Sequence, residues 1–178
     1  MARYVALLRG INLGSHNKVA MPALRSLVEG LGYDDVTTYI QSGNVVLTSP
    51  ASAAKVASAI REAIDKEFGL DVAVVVRTRQ QLKKVVDGNP FSKKAKDAGH
   101  LHVVFFADKP KAADVKALTS ADWGDDEVAV KGTEAYLHLP NGYGRAKLNN
   151  MLVEKQLGVA ATTRNWRTTT KLLELAGG

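Results

Sequence analysis

Three short polar segments hold most of the residues in this chain that could do chemistry. The first is Arg9-Gly10-Ile11-Asn12-Leu13-Gly14-Ser15-His16-Asn17-Lys18, the second Gln41-Ser42-Gly43-Asn44, and the third Thr162-Thr163-Arg164-Asn165-Trp166-Arg167. Glycine lets backbone amides come close to a ligand, and Arg9 and Lys18 complement negative charge. If Thr163 caps a helix, Arg164 and Arg167 fall in its first turn, where each cation opposes the macrodipole at about 0.3–1 kcal/mol. An anion at that end reverses the sign, because free amides and guanidinium forks would both point at it. Asn141-Gly142-Tyr143-Gly144-Arg145-Ala146-Lys147 is a weaker segment of the same kind. The expected ligand contacts are Arg9, Asn12, Asn17, Lys18, Gln41, Ser42, Asn44, Arg145, Lys147, Arg164, Asn165 and Arg167. The competing reading is that the glycines only turn the chain and the arginines pair with internal carboxylates. Neither a Walker A motif nor GxGxxG is present.

His16, in the first segment, is the candidate general acid or base. His100 and His102 share a stretch with strand character, and a three-histidine metal site with His138 requires all three to face one side. No metal or cofactor is expected. Ser15-His16 is not a nucleophile elbow, since G-x-S-x-G is absent. The chain has no cysteine, which excludes a disulfide framework, a thiol nucleophile and thiolate zinc sites.

The elements that must position these residues follow from periodicity and punctuation. Residues 3–9 read as a strand ending at Gly10. Pro22 opens a helix with Leu24, Leu27, Val28 and Leu31 on one face, and Gly32 follows it. Strands at 36–40 and 44–48 flank the Gln41-Ser42-Gly43 turn. Ser49-Pro50 starts a helix carried by Val56, Ile60 and Ile64 to Gly69, and Val72–Val76 reads as a buried strand. The order β-α-β-β-α-β is that of a split βαβ unit, whose first two strands run parallel and bring the first two polar segments to one edge. A short helix from Thr78 ends at Asp87-Gly88, and Phe91 is expected to anchor the lysine-containing loop after it.

From His100 the order returns: a strand through Val103–Phe106, a helix after Pro110, strands at 127–130 and 134–139, and a helix with Leu148, Met151 and Leu152. The expected fold is α+β with two ferredoxin-like lobes in tandem. The second lacks its last strand and is followed by a C-terminal helix with Trp166 as a core anchor. The expected divisions are 1–78, a connector at 79–99, 100–160, and a terminal helix at 161–178 that packs back on the body.

These segments also carry a resemblance. Ala6-Leu7-Leu8-Arg9-Gly10-Ile11-Asn12 with Asn17-Lys18, then Tyr39-Ile40-Gln41-Ser42-Gly43-Asn44-Val45, Asn89-Pro90-Phe91 and Thr163-Arg164-Asn165-Trp166-Arg167-Thr168 resemble a bacterial family described as domain of unknown function 1697. The resemblance implies that the polar segments are the family's signature; it implies no activity.

The 178 residues carry a formal charge of +6, with no acid before Glu29 and an acidic cluster at Asp122, Asp125, Asp126 and Glu127. Both chain ends are cationic. The opening apolar stretch is too short for a signal h-region, and no segment reaches the ~18 apolar residues of a membrane span, so a cytoplasmic protein is expected. The leading expectation is binding of a phosphate-bearing ligand, a nucleotide or nucleic acid, in a cationic pocket formed by the opening loop, the hairpin turn and the start of the last helix. Two alternatives stand beside it. One is a metal-independent enzyme acting on a small anion through His16. The other is a basic interface for an acidic partner or a second copy, so that the protein is a monomer or a homodimer.

Overall fold

β-Branched apolar runs alternate along the chain with helices of 3.6-residue period. The computed structural model, which describes residues 1–178, resolves them as two four-stranded antiparallel sheets and six α-helices. The chain divides into two units: Met1–Lys84 with Lys171–Gly178, and Val85–Thr170.

In the first unit the order is β1 (Ala2–Leu8), α1 (Met21–Gly30), β2 (Asp34–Tyr39), β3 (Asn44–Ser49), α2 (Ala53–Phe68) and β4 (Val74–Thr78). The sheet order is β2-β3-β1-β4. α2 begins where the Ser52 hydroxyl accepts from Lys55 N at 3.3 Å, and it ends at Gly69, whose φ of 67° closes the last turn. Val56, Ile60 and Ile64 form its buried stripe, packed on Tyr4, Ala6 and Leu8 of β1 and Val45 and Leu47 of β3. Each such side chain contributes roughly 1.5–3 kcal/mol on burial. The opposite sheet face, carried by Val5, Leu7, Val46 and Val75, is buried too. That is why β1 reads as a continuous apolar run rather than an alternating one.

α3 (Arg79–Asp87) follows β4 and starts with a reciprocal cap: Gln81 N donates to Thr78 Oγ1 at 3.1 Å, and Thr78 N to Gln81 Oε1 at 2.9 Å. The second unit then repeats the order with β5 (Leu101–Phe106), α4 (Ala112–Ser120), β6 (Glu127–Lys131), β7 (Glu134–His138), α5 (Asn150–Leu157) and β8 (Ala161–Asn165). α6 (Trp166–Leu175) follows, its residues from Lys171 onward belonging to the first unit. The sheet order of the second unit, β6-β7-β5-β8, matches the first position for position. The sequence expectation of a missing last strand is therefore wrong. β8 pairs with β5 along Phe106↔Ala161, Val103↔Arg164 and His102↔Asn165.

The helix at the end also starts later than expected. The Thr163 hydroxyl does not cap it but donates to Asn150 Oδ1 at 2.8 Å. The cap is Asn165, whose Oδ1 accepts from Thr168 N at 2.8 Å. A strand reading Ala-Thr-Thr-Arg-Asn has no apolar alternation to announce it, and its threonines are at home in a sheet. Arg164 therefore lies in a strand, and the macrodipole argument applies to Arg167 alone.

Candidate functional site

One edge of the first sheet gathers the C-terminal ends of β1 and β2 and the N-terminal ends of β3 and β4. The loop of residues 9–20 and the turn of residues 40–43 lie there against each other. Arg9 N donates to Ala73 O at 2.9 Å, and Gly10 turns the chain with φ 69°. Ile11 then points inward and is 1% exposed. Asn12 joins the two segments. Its amide donates to Val19 O at 2.9 Å and to Gln41 O at 2.7 Å, while its Oδ1 accepts from Val19 N at 2.8 Å. Asn17 Nδ2 donates to Gly10 O at 3.0 Å, and Asn12 N to Asn17 O at 3.0 Å. In the turn, Asn44 Nδ2 donates to Tyr39 O at 2.8 Å and to Ser42 Oγ at 2.9 Å.

These bonds divide the residues chosen from the sequence. Asn12 and Asn17 hold the loop's left-handed backbone, at φ 53° and 50°, and Asn44 is fully buried. Their amides are used on the protein's own carbonyls, so the direct-contact role expected of Asn44 is not available to it. Arg9 and Ser42 are half-buried, whereas His16, Lys18 and Gln41 are exposed. His16 N donates to Leu13 O at 3.0 Å, closing a small hairpin with Gly14-Ser15 at its tip. Removing one local bond should have a modest effect. Asn17→Ala is expected to cost about 1 kcal/mol, part hydrogen bond and part left-handed strain, measured by urea denaturation. A change below a quarter of that would mean the loop does not depend on the bond.

The second unit supplies an internal comparison, because it makes the same connections at the equivalent edge with less chain. Its β5–α4 loop is residues 107–111 against 9–20, and its β6–β7 turn is residues 132–133 against 40–43. Long loops held by their own hydrogen bonds are more often functional than slack. Three of the four non-glycine residues with positive φ, namely Asn12, Asn17 and Ile40, are in this loop and turn. The loop delivers the chain to α1, whose N-cap is Ala20 with no side-chain bond and whose first turn has no acid. By contrast, Ser52 caps α2, Asn149 caps α5, and Asp114 lies in the first turn of α4.

The candidates in the second unit fare differently. Arg164 is buried in β8, where its Nη1 donates to Thr162 Oγ1 at 2.6 Å and to Thr163 O at 3.0 Å. Burial lowers its guanidinium pKa to about 10. Arg167 is exposed, so the two arginines read from the sequence as a pair do not act as one, and Asn165 is committed to its cap. Arg145 and Lys147 are exposed in the β7–α5 loop. That loop is held by the acidic cluster: Asp126 Oδ2 accepts from Lys147 N at 2.8 Å, and Asp125 Oδ2 from Asn141 Nδ2 at 3.2 Å. These two carboxylates are thus already engaged within the chain.

His102 and His138 pair with Leu137 and Leu101 respectively and so face opposite sides of the sheet, while His100 precedes β5 in a short 3-10 turn. The three-histidine arrangement is not formed. His138 Nδ1 lies 2.9 Å from Glu127 Oε1, and Lys94 Nζ donates to Glu127 Oε2 at 2.7 Å. Those contacts, Lys94 first, hold the Glu127 carboxyl below its ordinary range. Phe91 stacks on His138 at 6.0 Å, which anchors its loop. Sequence reasoning missed Ile40 and Leu13, which stand exposed beside the Asn12–Gln41 bond. Nothing in their residue types announces an outward position.

No helix is long and apolar enough to cross a membrane. The family model described as protein of unknown function (DUF1697) matches residues 1–136. No curated protein matches the chain. Among solved structures, that of a conserved bacterial protein from Streptococcus pneumoniae superposes with a TM-score of 0.77 at 23% identity, over 98% of each chain. At that identity the likeness concerns the fold.

Proposed function

The chain belongs to the DUF1697 family of proteins of unknown function, and for it we propose binding of a phosphate-bearing ligand at the edge formed by residues 9–20 and 40–43. The observation that carries the reading is the enlarged, acid-free loop. It uses more chain than its counterpart in the second unit, is cross-braced by Asn12 and Asn17, and presents Lys18 beside an α1 start with neither a side-chain cap nor an acid. Free amides of a helix start and a nearby ammonium are complementary to an anion. Arg9 adds positive charge at the base of the loop, and Gln41 and Ser42 offer polar contacts from the turn.

Each unit is read in the same proposal as a ferredoxin-like lobe, and the pair as a tandem duplication, on the strength of the matching strand orders. Inorganic pyrophosphate titrated at low salt is expected to move amide resonances of residues 10–24 and 41–43. Lys18→Glu should weaken the affinity at least tenfold, about 1.4 kcal/mol, while Arg145→Glu leaves it unchanged. Shifts centred elsewhere, or a Lys18→Glu variant that binds as well as the parent, would sink the proposal.

A further inference from the structure

We infer that the first unit has a second ligand site, at the opposite end of β1 from the polar loop, and that it takes a small amine carrying a carboxylate. A cavity of about 610 Å³ opens there, lined from α1, the starts of β1 and β2 and the end of β3. Both signs of charge meet in it. Glu29, Asp34 and Asp35 are the only acids before Glu62, and all three are on its wall. Arg25 neutralises Glu29 at 2.9 Å, whereas the Asp34 and Asp35 carboxylates make no hydrogen bond or ion pair.

Arg3 lines the same cavity and carries the argument. It is half-buried, and a charge drawn out of water is normally paired. Here every partner is neutral. Nη1 donates to Asp35 O at 2.9 Å and to Thr48 Oγ1 at 3.0 Å, and Nη2 donates to Leu175 O at 3.4 Å. These bonds leave the Nε–H and one Nη2–H of the guanidinium uncommitted. Asp35, left-handed at φ 49° beside the irregularity between Asp34 and Thr37, gives Arg3 its carbonyl and not its carboxylate. Positive and negative charge are thus held in one cavity without cancelling. An ammonium is complementary to the two aspartates, and a carboxylate to the remaining guanidinium donors. Tyr33, half-buried with its hydroxyl unpartnered, adds a polar contact to the wall. Charge on an edge strand such as β2 also blocks unwanted pairing, but that role leaves Arg3 unexplained.

Calorimetry at neutral pH and low ionic strength tests this with L-lysine, cadaverine and hexanoate as probes. Cadaverine is lysine without its carboxylate, and hexanoate is lysine without its amines. Cadaverine carries the larger positive charge, so a plain acidic patch would prefer it to lysine. Lysine is expected to bind more tightly than cadaverine by about tenfold, and hexanoate to give no measurable heat. The double variant Asp34→Asn, Asp35→Asn keeps side-chain size and suits the left-handed backbone. It should weaken lysine by about tenfold, while Glu62→Gln, an exposed acid outside the cavity, leaves the affinity unchanged. Arg3→Met should bring lysine down to the affinity of cadaverine; if that variant fails to fold, the aspartate variant decides. Cadaverine binding as tightly as lysine, a double variant that binds like the parent, or no binding of lysine overturns the inference. A trilysine peptide that binds far more tightly than lysine also overturns it, in favour of a basic chain as the occupant. None of these outcomes touches the phosphate reading, which Lys18→Glu tests at the other end of β1.

Discussion

Gly43→Ala is expected to destabilise the protein by about 4 kcal/mol, the largest effect of any single methyl group at the candidate site. Two independent terms produce it. Gly43 has φ +87°, where an L side chain meets its own backbone at about 1–2 kcal/mol. The added Cβ would also stand 2.6 Å from Ile11 Cδ1 and 2.9 Å from both Ile11 Cγ1 and Leu8 Cβ. Ile11 can rotate, but Leu8 Cβ is fixed to a buried central strand, so overpacking of about 1–3 kcal/mol follows. Gly14→Ala is the control at the same edge. Its φ is +59° and nothing lies within 4 Å of the new methyl, so only the backbone term should remain. Urea denaturation of both variants should show Gly43→Ala costing at least 2 kcal/mol more. Equal costs would mean that Ile11 and Leu8 are not packed as described and that the loop does not seat on the turn.

The difference between these two glycines shows what sequence could and could not convey. The element order of the first unit was legible because Pro22, Gly10, Gly32 and Gly69 punctuate clear periodicities. The helix start read at Ser49-Pro50 is misplaced, because Ser49 ends β3 and Ser52 caps α2. In the second unit β8 was not legible, since Thr162 and Thr163 gain their sheet character from partners on β5 rather than from alternation. The meeting of the opening loop and the first turn follows from topology, and the sequence expressed it. The roles within that meeting were hidden. A polar, glycine-containing loop looks the same whether its asparagine amides face a ligand or the chain's own carbonyls. Only geometry shows that Asn12 and Asn44 are braces and that Ile40 and Leu13 are presented. Arg164 illustrates the same point from the other side: a guanidinium read as a surface contact lies buried between strand neighbours, using Thr162 and the Thr163 carbonyl.

Lowering the pH from 7.5 to 4 is expected to remove about 2 kcal/mol of stability through His102 alone. Burial, then the nearby charge of His100, lowers the folded-state pKa of this ring from 6.5 to about 4. Its Nδ1 is buried without a partner, so a proton placed there would have no acceptor. On the outer side the ring meets Tyr143, with centroids 5.0 Å apart. The sign follows from proton counting. Between pH 6.5 and 4 the unfolded chain carries the proton and the folded protein does not, so stability is fully present above pH 6.5 and is lost progressively towards pH 4. The full linkage would approach about 3 kcal/mol, and solvent reaching part of the ring reduces it. Glu127 acts in a separate window. Its lowered carboxyl pKa, set by Lys94 and then His138, contributes stability that is lost only below the ordinary value of 4.5. His102→Phe keeps a ring against Tyr143 and deletes the titrating group. Melting curves of parent and variant at pH 7.5, 5.5 and 4.5 should diverge as the pH falls, with the variant losing markedly less. Parallel loss in both proteins would place the acid sensitivity on other groups and show that solvent reaches the His102 ring in the folded state.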